Sequence, residues 1–192
     1  MNRLLKLRTE EGKEVRIIMV YCFVEGIEVF TVERGNIQRA MADSVNNNIV
    51  WLFSYNSRGF NDSKRCYLSS VLSKCDILLL QEHWLSDDLS SCLSTLSSDH
   101  VAVGVSEFGV LSGRPYGGCA VIWRSSPNLL ARPIITDSGR ICAVLFSNDC
   151  IKLLCACVYM PYEKDDSSMA EFQYQLSVID SLMEQYSDCH VM

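Results

Sequence analysis

The residues able to do chemistry stand at the ends of two apolar runs. The stretch Cys75-Asp76-Ile77-Leu78-Leu79-Leu80-Gln81-Glu82-His83-Trp84 delivers one carboxylate, Glu82, where the apolar residues stop. Ile77 to Leu80 is too short for a helix and too apolar for an exposed edge, which predicts a strand covered on both faces. A buried carboxylate without a partner is expensive. Glu82 is therefore either neutralised by a Lys or Arg or holds a cation at the end of a sheet. Ile49-Val50-Trp51-Leu52-Phe53-Ser54-Tyr55-Asn56 is a second apolar run that ends in a polar residue. An amide and a carboxylate at neighbouring strand ends are oxygen donors suited to Mg²⁺, which keeps several waters and needs few protein ligands. Without Glu82, Asn56 reads as a turn former.

The elements that must position these two groups follow from the pattern between them. Ser57-Arg58-Gly59-Phe60 turns the chain, and Asn61 or Asp62 caps a helix whose apolar face is Leu68, Val71, Leu72 and Cys75. The order strand, helix, strand thus brings Asn56 and Glu82 to strand ends. Downstream, Ser86-Asp87-Asp88 starts a short helix, and His100 to Val105 is a strand followed by a loop to Tyr116. The next strand is Gly117 to Trp123, where Gly118 allows a close backbone approach. Gly113-Arg114-Pro115-Tyr116-Gly117-Gly118 is not a phosphate-binding P-loop, because no Gly-Lys-Ser/Thr follows. Arg140 to Ser147 and Ile151 to Met160 form a hairpin around Asn148-Asp149. Ser168-Met169-Ala170-Glu171 is a capping box. It opens a helix with Met169, Phe172, Leu176, Ile179, Met183 and Tyr186 on one face, and Cys189-His190-Val191-Met192 begins another strand.

Residues 1–47 read as an N-terminal extension. Arg16 to Phe23 and Ile27 to Glu33 make a hairpin around Glu25-Gly26, and a polar linker ends in Asn46-Asn47-Asn48. Met41 opens Met-Ala-Asp-Ser, so the residues before it read as an adapter or upstream extension. The composition excludes several classes of function. With 48% hydrophobic and 21% charged residues the chain can bury a real core. Its longest apolar candidate, Ile17 to Val24, falls far short of the ~20 residues of a membrane span. No secretory signal opens it, which points to an intracellular protein, nuclear or cytoplasmic. The ten cysteines contain no C-x-x-C pair and lie mostly inside apolar runs, against zinc and for a reducing compartment. A net charge of −6 argues against broad electrostatic attraction to nucleic acid, though not against contact through a divalent cation and a few arginines.

In four motifs the sequence resembles the endonuclease/exonuclease/phosphatase superfamily, closest to the endonuclease domain of LINE-type (non-LTR) retrotransposons. They are Ser54-Tyr55-Asn56-Ser57-Arg58-Gly59-Phe60-Asn61, Ile77 to Leu85, Arg114-Pro115-Tyr116-Gly117-Gly118-Cys119-Ala120-Val121, and Cys157-Val158-Tyr159-Met160-Pro161-Tyr162, in family order over residues 48–192. The resemblance implies an α+β fold: part of a four-layer sandwich, two mixed β-sheets face to face with helices outside. It implies Glu82 as the principal Mg²⁺ carboxylate, Asn56 as the metal-site Asn and Tyr159 as the contact to the scissile phosphate. Arg58, Arg114 and Tyr116 are candidates for meeting DNA phosphates.

The family's Gly-Asp-Phe-Asn strand, expected after His190-Val191-Met192, and its closing Ser-Asp-His element are absent from the sequence. Ser98-Asp99-His100 occurs at the wrong place in the order to replace the latter, His83 reads as a strand-end contact, and His190 enters the strand whose continuation is missing. The expectation is therefore the N-terminal portion of a Mg²⁺-dependent DNA endonuclease lacking the general-base Asp and catalytic His, inactive alone, with weak or absent Mg²⁺ binding, and prone to self-association through uncovered sheet edges. The alternatives are a non-catalytic remnant that acts as a binding piece and a phosphatase of the same superfamily.

Overall fold

The computed structural model describes the backbone of residues 3–8, 14–20, 50–86, 91–106, 109–111, 114–127, 129–147, 152–161 and 166–191, with side chains from residue 52 onward except 107–116 and the ends of the last helix and strand. Its strands are β1 (Arg3–Arg8), β2 (Glu14–Val20), β3 (Val50–Asn56), β4 (Ile77–Gln81), β5 (His100–Val105), β6 (Gly109–Leu111), β7 (Arg114–Tyr116), β8 (Cys119–Arg124), β9 (Leu130–Ile134), β10 (Ile141–Ser147), β11 (Lys152–Val158) and β12 (His190–Val191). The helices are α1 (Asp62–Leu72) and α2 (Asp166–Gln185), with a 3₁₀ turn at Ser91–Thr95.

One mixed sheet has the order β1-β2-β3-β4-β8-β5, and a second has β12-β11-β10-β9; β6 and β7 form a separate ribbon. Because successive side chains of a strand point to opposite faces, the apolar β4 feeds two cores at once. Leu78 and Leu80 pack with Leu68 and Leu72 of α1 on the outer face of the first sheet. Ile77 and Leu79 pack inward, against Cys142, Val144, Phe146, Leu153 and Cys155 of the second sheet. On the far side of that sheet, Ile141, Ala143 and Leu154 meet Leu182 of α2. The layers are therefore helix, sheet, sheet, helix: the partial sandwich that the sequence implies.

Thiols fill the space between the sheets as small hydrophobes. Two also cross it: Cys142 donates to the carbonyl of Val103 at 3.4 Å and Cys157 to that of Leu80 at 3.3 Å. Among the described residues no helix is long and apolar enough to cross a membrane.

Several local expectations are corrected. β2 pairs antiparallel with β1 on one edge and parallel with β3 on the other, so it enters the first sheet. The expected partner run Ile27 to Glu33 and the Asn46-Asn47-Asn48 linker lie outside the described residues. α2 begins at Asp166, ahead of the capping box at Ser168. Its buried face is also rotated from the expected one: Ile179 and Tyr186 pack on the second sheet as expected, but Gln175 and Leu182 are buried with them, whereas Met169, Leu176 and Met183 are exposed. Gln175 can be buried because its oxygen accepts from Ser138 Oγ at 2.5 Å and its nitrogen donates to Glu171 at 2.6 Å.

Candidate active site

Parallel pairing of β3 with β4 sets Asn56 opposite Gln81, one residue before Glu82. The Asn56 amide nitrogen donates to Glu82 Oε1 at 2.7 Å, and its oxygen accepts from the Arg58 backbone N–H at 3.1 Å. Both ends of the amide are thereby used to orient the carboxylate. The ion pairs among the described residues are Arg124–Asp76, Arg140–Glu171 and Lys152–Asp188. No described Lys or Arg forms an ion pair with Glu82. Among the described residues no three His, Cys, Asp or Glu cluster as a metal cage. An ion at this rim would rest on Glu82 and on water, a donor set that suits Mg²⁺ better than zinc.

The backbone around the pair is held in a sparsely populated conformation. Arg58, Glu82 and Trp84 have φ of 46°, 52° and 57°. Such non-glycine residues cost on the order of 1–3 kcal/mol each and persist only where surrounding structure over-determines them. Here the 57–60 turn is stitched to the 81–83 turn. Ser57, Gly59 and Phe60 donate their N–H groups to the carbonyls of Gln81, Glu82 and His83 at 2.8, 2.7 and 2.9 Å. The buried Ser57 hydroxyl adds bonds to the carbonyls of Gln81 and Glu82 at 3.1 and 2.9 Å. Trp84 N–H reaches the carbonyl of Gly117 at 3.0 Å.

His83 is fully buried. Its Nδ1 accepts from Leu85 N–H at 3.0 Å, which leaves Nε2 to donate to the carbonyl of Val105 at 3.2 Å. It is a latch between strand ends, as its position implied, and not a base open to substrate. Gly118 and Gly59 make room for it and its neighbour: a Cβ there would stand 2.4 Å from His83 and 2.5 Å from Trp84.

Tyr159 belongs to the second sheet's side of the layer and packs against the core between the sheets. It follows β11, whose Cys157 thiol contacts the carbonyl of Leu80. Its N–H donates to the carbonyl of Arg140 at 2.9 Å, and that carbonyl also accepts from Cys119, the register partner of Gln81. The Arg140 guanidinium lies 5.3 Å from the centroid of the Tyr159 ring. Arg58 is exposed beside Asn56. Arg114 and Tyr116 lie in β7, and their side chains are outside the described residues, as is that of His190 in β12. Ser98-Asp99-His100 is elsewhere: His100 pairs with Arg124 at one end of β5, while Val105 at the other end meets His83.

Sequence reasoning missed Ser57 and Lys64. The Lys64 ammonium donates to the carbonyls of Ser57, Arg58 at 2.9 Å and Gly59 at 2.8 Å. Its signal was its place in the first turn after Asn61, whose side chain accepts the Lys64 N–H at 3.0 Å.

No family model and no curated protein matches the sequence. Solved structures do. The 3' phosphatase NExo from Neisseria, bound to product DNA hairpin, matches at a TM-score of 0.50 and 15% identity, over 72% of this chain and 53% of that one. The AP endonuclease LMAP from Leishmania major matches at 0.51 and 18%, over 70% of this chain and 46% of that one. The endonuclease domain of TRAS1, a telomere-specific non-LTR retrotransposon, is a looser likeness at 0.43 and 12%, over 65% of this chain and 52% of that one. All are members of the endonuclease/exonuclease/phosphatase superfamily. The chain shares the fold of NExo and LMAP and spans about half the length of each.

Proposed function

We propose that the chain carries part of the metal and phosphate site of a Mg²⁺-dependent DNA endonuclease of retrotransposon type, and that by itself it turns over little or no DNA. The observation that carries this reading is the 2.7 Å contact between Asn56 and Glu82 at adjacent parallel strand ends. Glu82 is the metal carboxylate, Asn56 fixes its orientation, and Tyr159 meets a phosphate oxygen from the second sheet. Arg58, Arg114 and Tyr116 steer the DNA backbone. A bound Mg²⁺ would offset charge building on a phosphate. The retrotransposon assignment rests on the wording of the four motifs and on their order.

Weak turnover follows from what surrounds Glu82. His83 has both ring nitrogens engaged, and Ser98-Asp99-His100 lies at the far end of β5. Groups that act as a unit lose most of their effect when one is missing. The apolar stripe Met169, Leu176 and Met183 on α2 makes self-association part of the same reading.

Two assays test it. Mn²⁺ titration, read by paramagnetic relaxation, should detect binding that weakens about tenfold or more in Glu82→Gln; equal binding in both proteins would end the site assignment. Supercoiled plasmid incubated with Mg²⁺ should remain intact. A nick lost in Glu82→Ala would refute the predicted inactivity, and release of inorganic phosphate from a 3'-phosphorylated strand would move the reading to a phosphatase.

A further inference from the structure

Lys64 is half-buried in the first turn of α1. Its ammonium sits at the focus of three consecutive carbonyls, those of Ser57, Arg58 and Gly59. Three N–H donors meet three acceptors, the full capacity of the group. Such carbonyls direct their negative ends at one another, and the turn already carries strain at Arg58, whose φ is 46°. A fixed cation at their focus offsets that repulsion. The turn it holds is the one that grips the candidate carboxylate: Arg58 N–H bonds the Asn56 oxygen, and Gly59 N–H bonds the Glu82 carbonyl at 2.7 Å. Glu82 itself has a φ of 52°. The path from Lys64 to the Glu82 backbone is thus two hydrogen bonds long. A solvated lysine on a helix surface would make none of these contacts.

We propose that Lys64 is a positioning residue for the candidate site: its ammonium clamps the 57–59 turn and so sets the backbone rotation that lays Glu82 against Asn56. The link to metal binding rests on the reading of Glu82 as a cation ligand; the clamp itself does not.

The test compares the full chain with Lys64→Met, which keeps length and removes charge, and with Lys64→Arg, which keeps charge. Amide hydrogen exchange at Gly59 and Phe60 should rise about tenfold or more in Lys64→Met relative to the amides of β10, with little movement of the urea midpoint. Lys64→Arg should restore most of that protection, and Mn²⁺ affinity should fall in Lys64→Met and recover in Lys64→Arg. Unchanged exchange at Gly59 and Phe60 overturns the proposal. So does a rise shared by all amides in step with the urea midpoint, since that is a structural loss and not a local one. If the wild-type chain binds no Mn²⁺, the reading of the site fails, and the exchange data alone decide the clamp. Should neither variant fold, the wild type still decides. Lys64 should react with an amine-selective methylating reagent more slowly than the exposed Lys74, and equal rates overturn the proposal.

Discussion

A Cβ built at Gly118 stands 2.4 Å from His83 Cε1 and 2.7 Å from its Nε2, on a backbone with φ of 83°. The ring cannot move cheaply, because the imidazole is buried and bonded at both nitrogens. Steric overlap and a left-handed backbone act together, so Gly118→Ala should cost roughly 2–4 kcal/mol. At Gly104 the nearest atoms are 3.4 Å away and no left-handed φ is required. Gly104→Ala should therefore stay below about 1 kcal/mol. Urea midpoints of the two variants check the contrast, and equal losses would mean that His83 is not the wedge described. At this scale the sequence was legible where a residue type was improbable for its place. A carboxylate after three leucines and a glutamine flagged Glu82, and an amide closing an apolar run flagged Asn56. Ser57 and Lys64 were illegible because their bonds go to backbone carbonyls, which carry no residue signature; those of Ser57 lie 24 and 25 residues away.

Elements were legible wherever apolar content and length agreed. β4 is buried at four of its five residues because both faces are covered, and its run of Ile and Leu announced this. β9 was missed because it is an edge strand containing Pro133, and a proline is tolerated only where the ladder ends. The rotation of α2 was missed because a buried Gln175 satisfied by Ser138 and Glu171 looks, in sequence, like surface. β5 provides a prediction at this scale through its first residue. His100 is buried, with Nδ1 near Ser97 Oγ at 2.9 Å and Nε2 near the Cys75 carbonyl at 3.3 Å. Burial pushes its pKa below the ordinary 6.5, and Arg124 adds to that, against the Cys75 carbonyl, Asp99 and Asp76. The unfolded chain thus binds the proton before the native one does. Stability from this group is complete above the ordinary value and is lost as pH falls below it. The urea midpoint should decline as pH falls below the ordinary imidazole value of 6.5, and less steeply in His100→Gln. Superimposable profiles would show that the strand end does not resist protonation.

Two sheets packed face to face share one apolar layer, and the thiols in it report on whether they open together. Cys142 and Cys155 lie in the layer between the sheets, where burial pushes both thiols up to about 12. Cys75, under α1, is raised to about 12 by burial first, with Asp76 adding. The thiolate is the reactive form, so near neutral pH these groups react only after the layers separate. Cys66 is exposed on α1 and needs no opening. Pulse labelling with an alkylating reagent, followed by peptide mass analysis, should modify Cys66 at once. Cys142 and Cys155 should follow together, slowly, at the rate of global unfolding, and their rates should rise in parallel as urea is added. The chain spans about half the length of its structural neighbours, so the cooperativity of its two sheets is an outcome the fold alone does not guarantee. Labelling of Cys142 well ahead of Cys155 would place a local opening within the layer between the sheets. The path from Leu80 through Cys157 to Tyr159 crosses that same layer. An opening there would break the Cys157 contact to Leu80 and part the strand that leads to Tyr159 from β4.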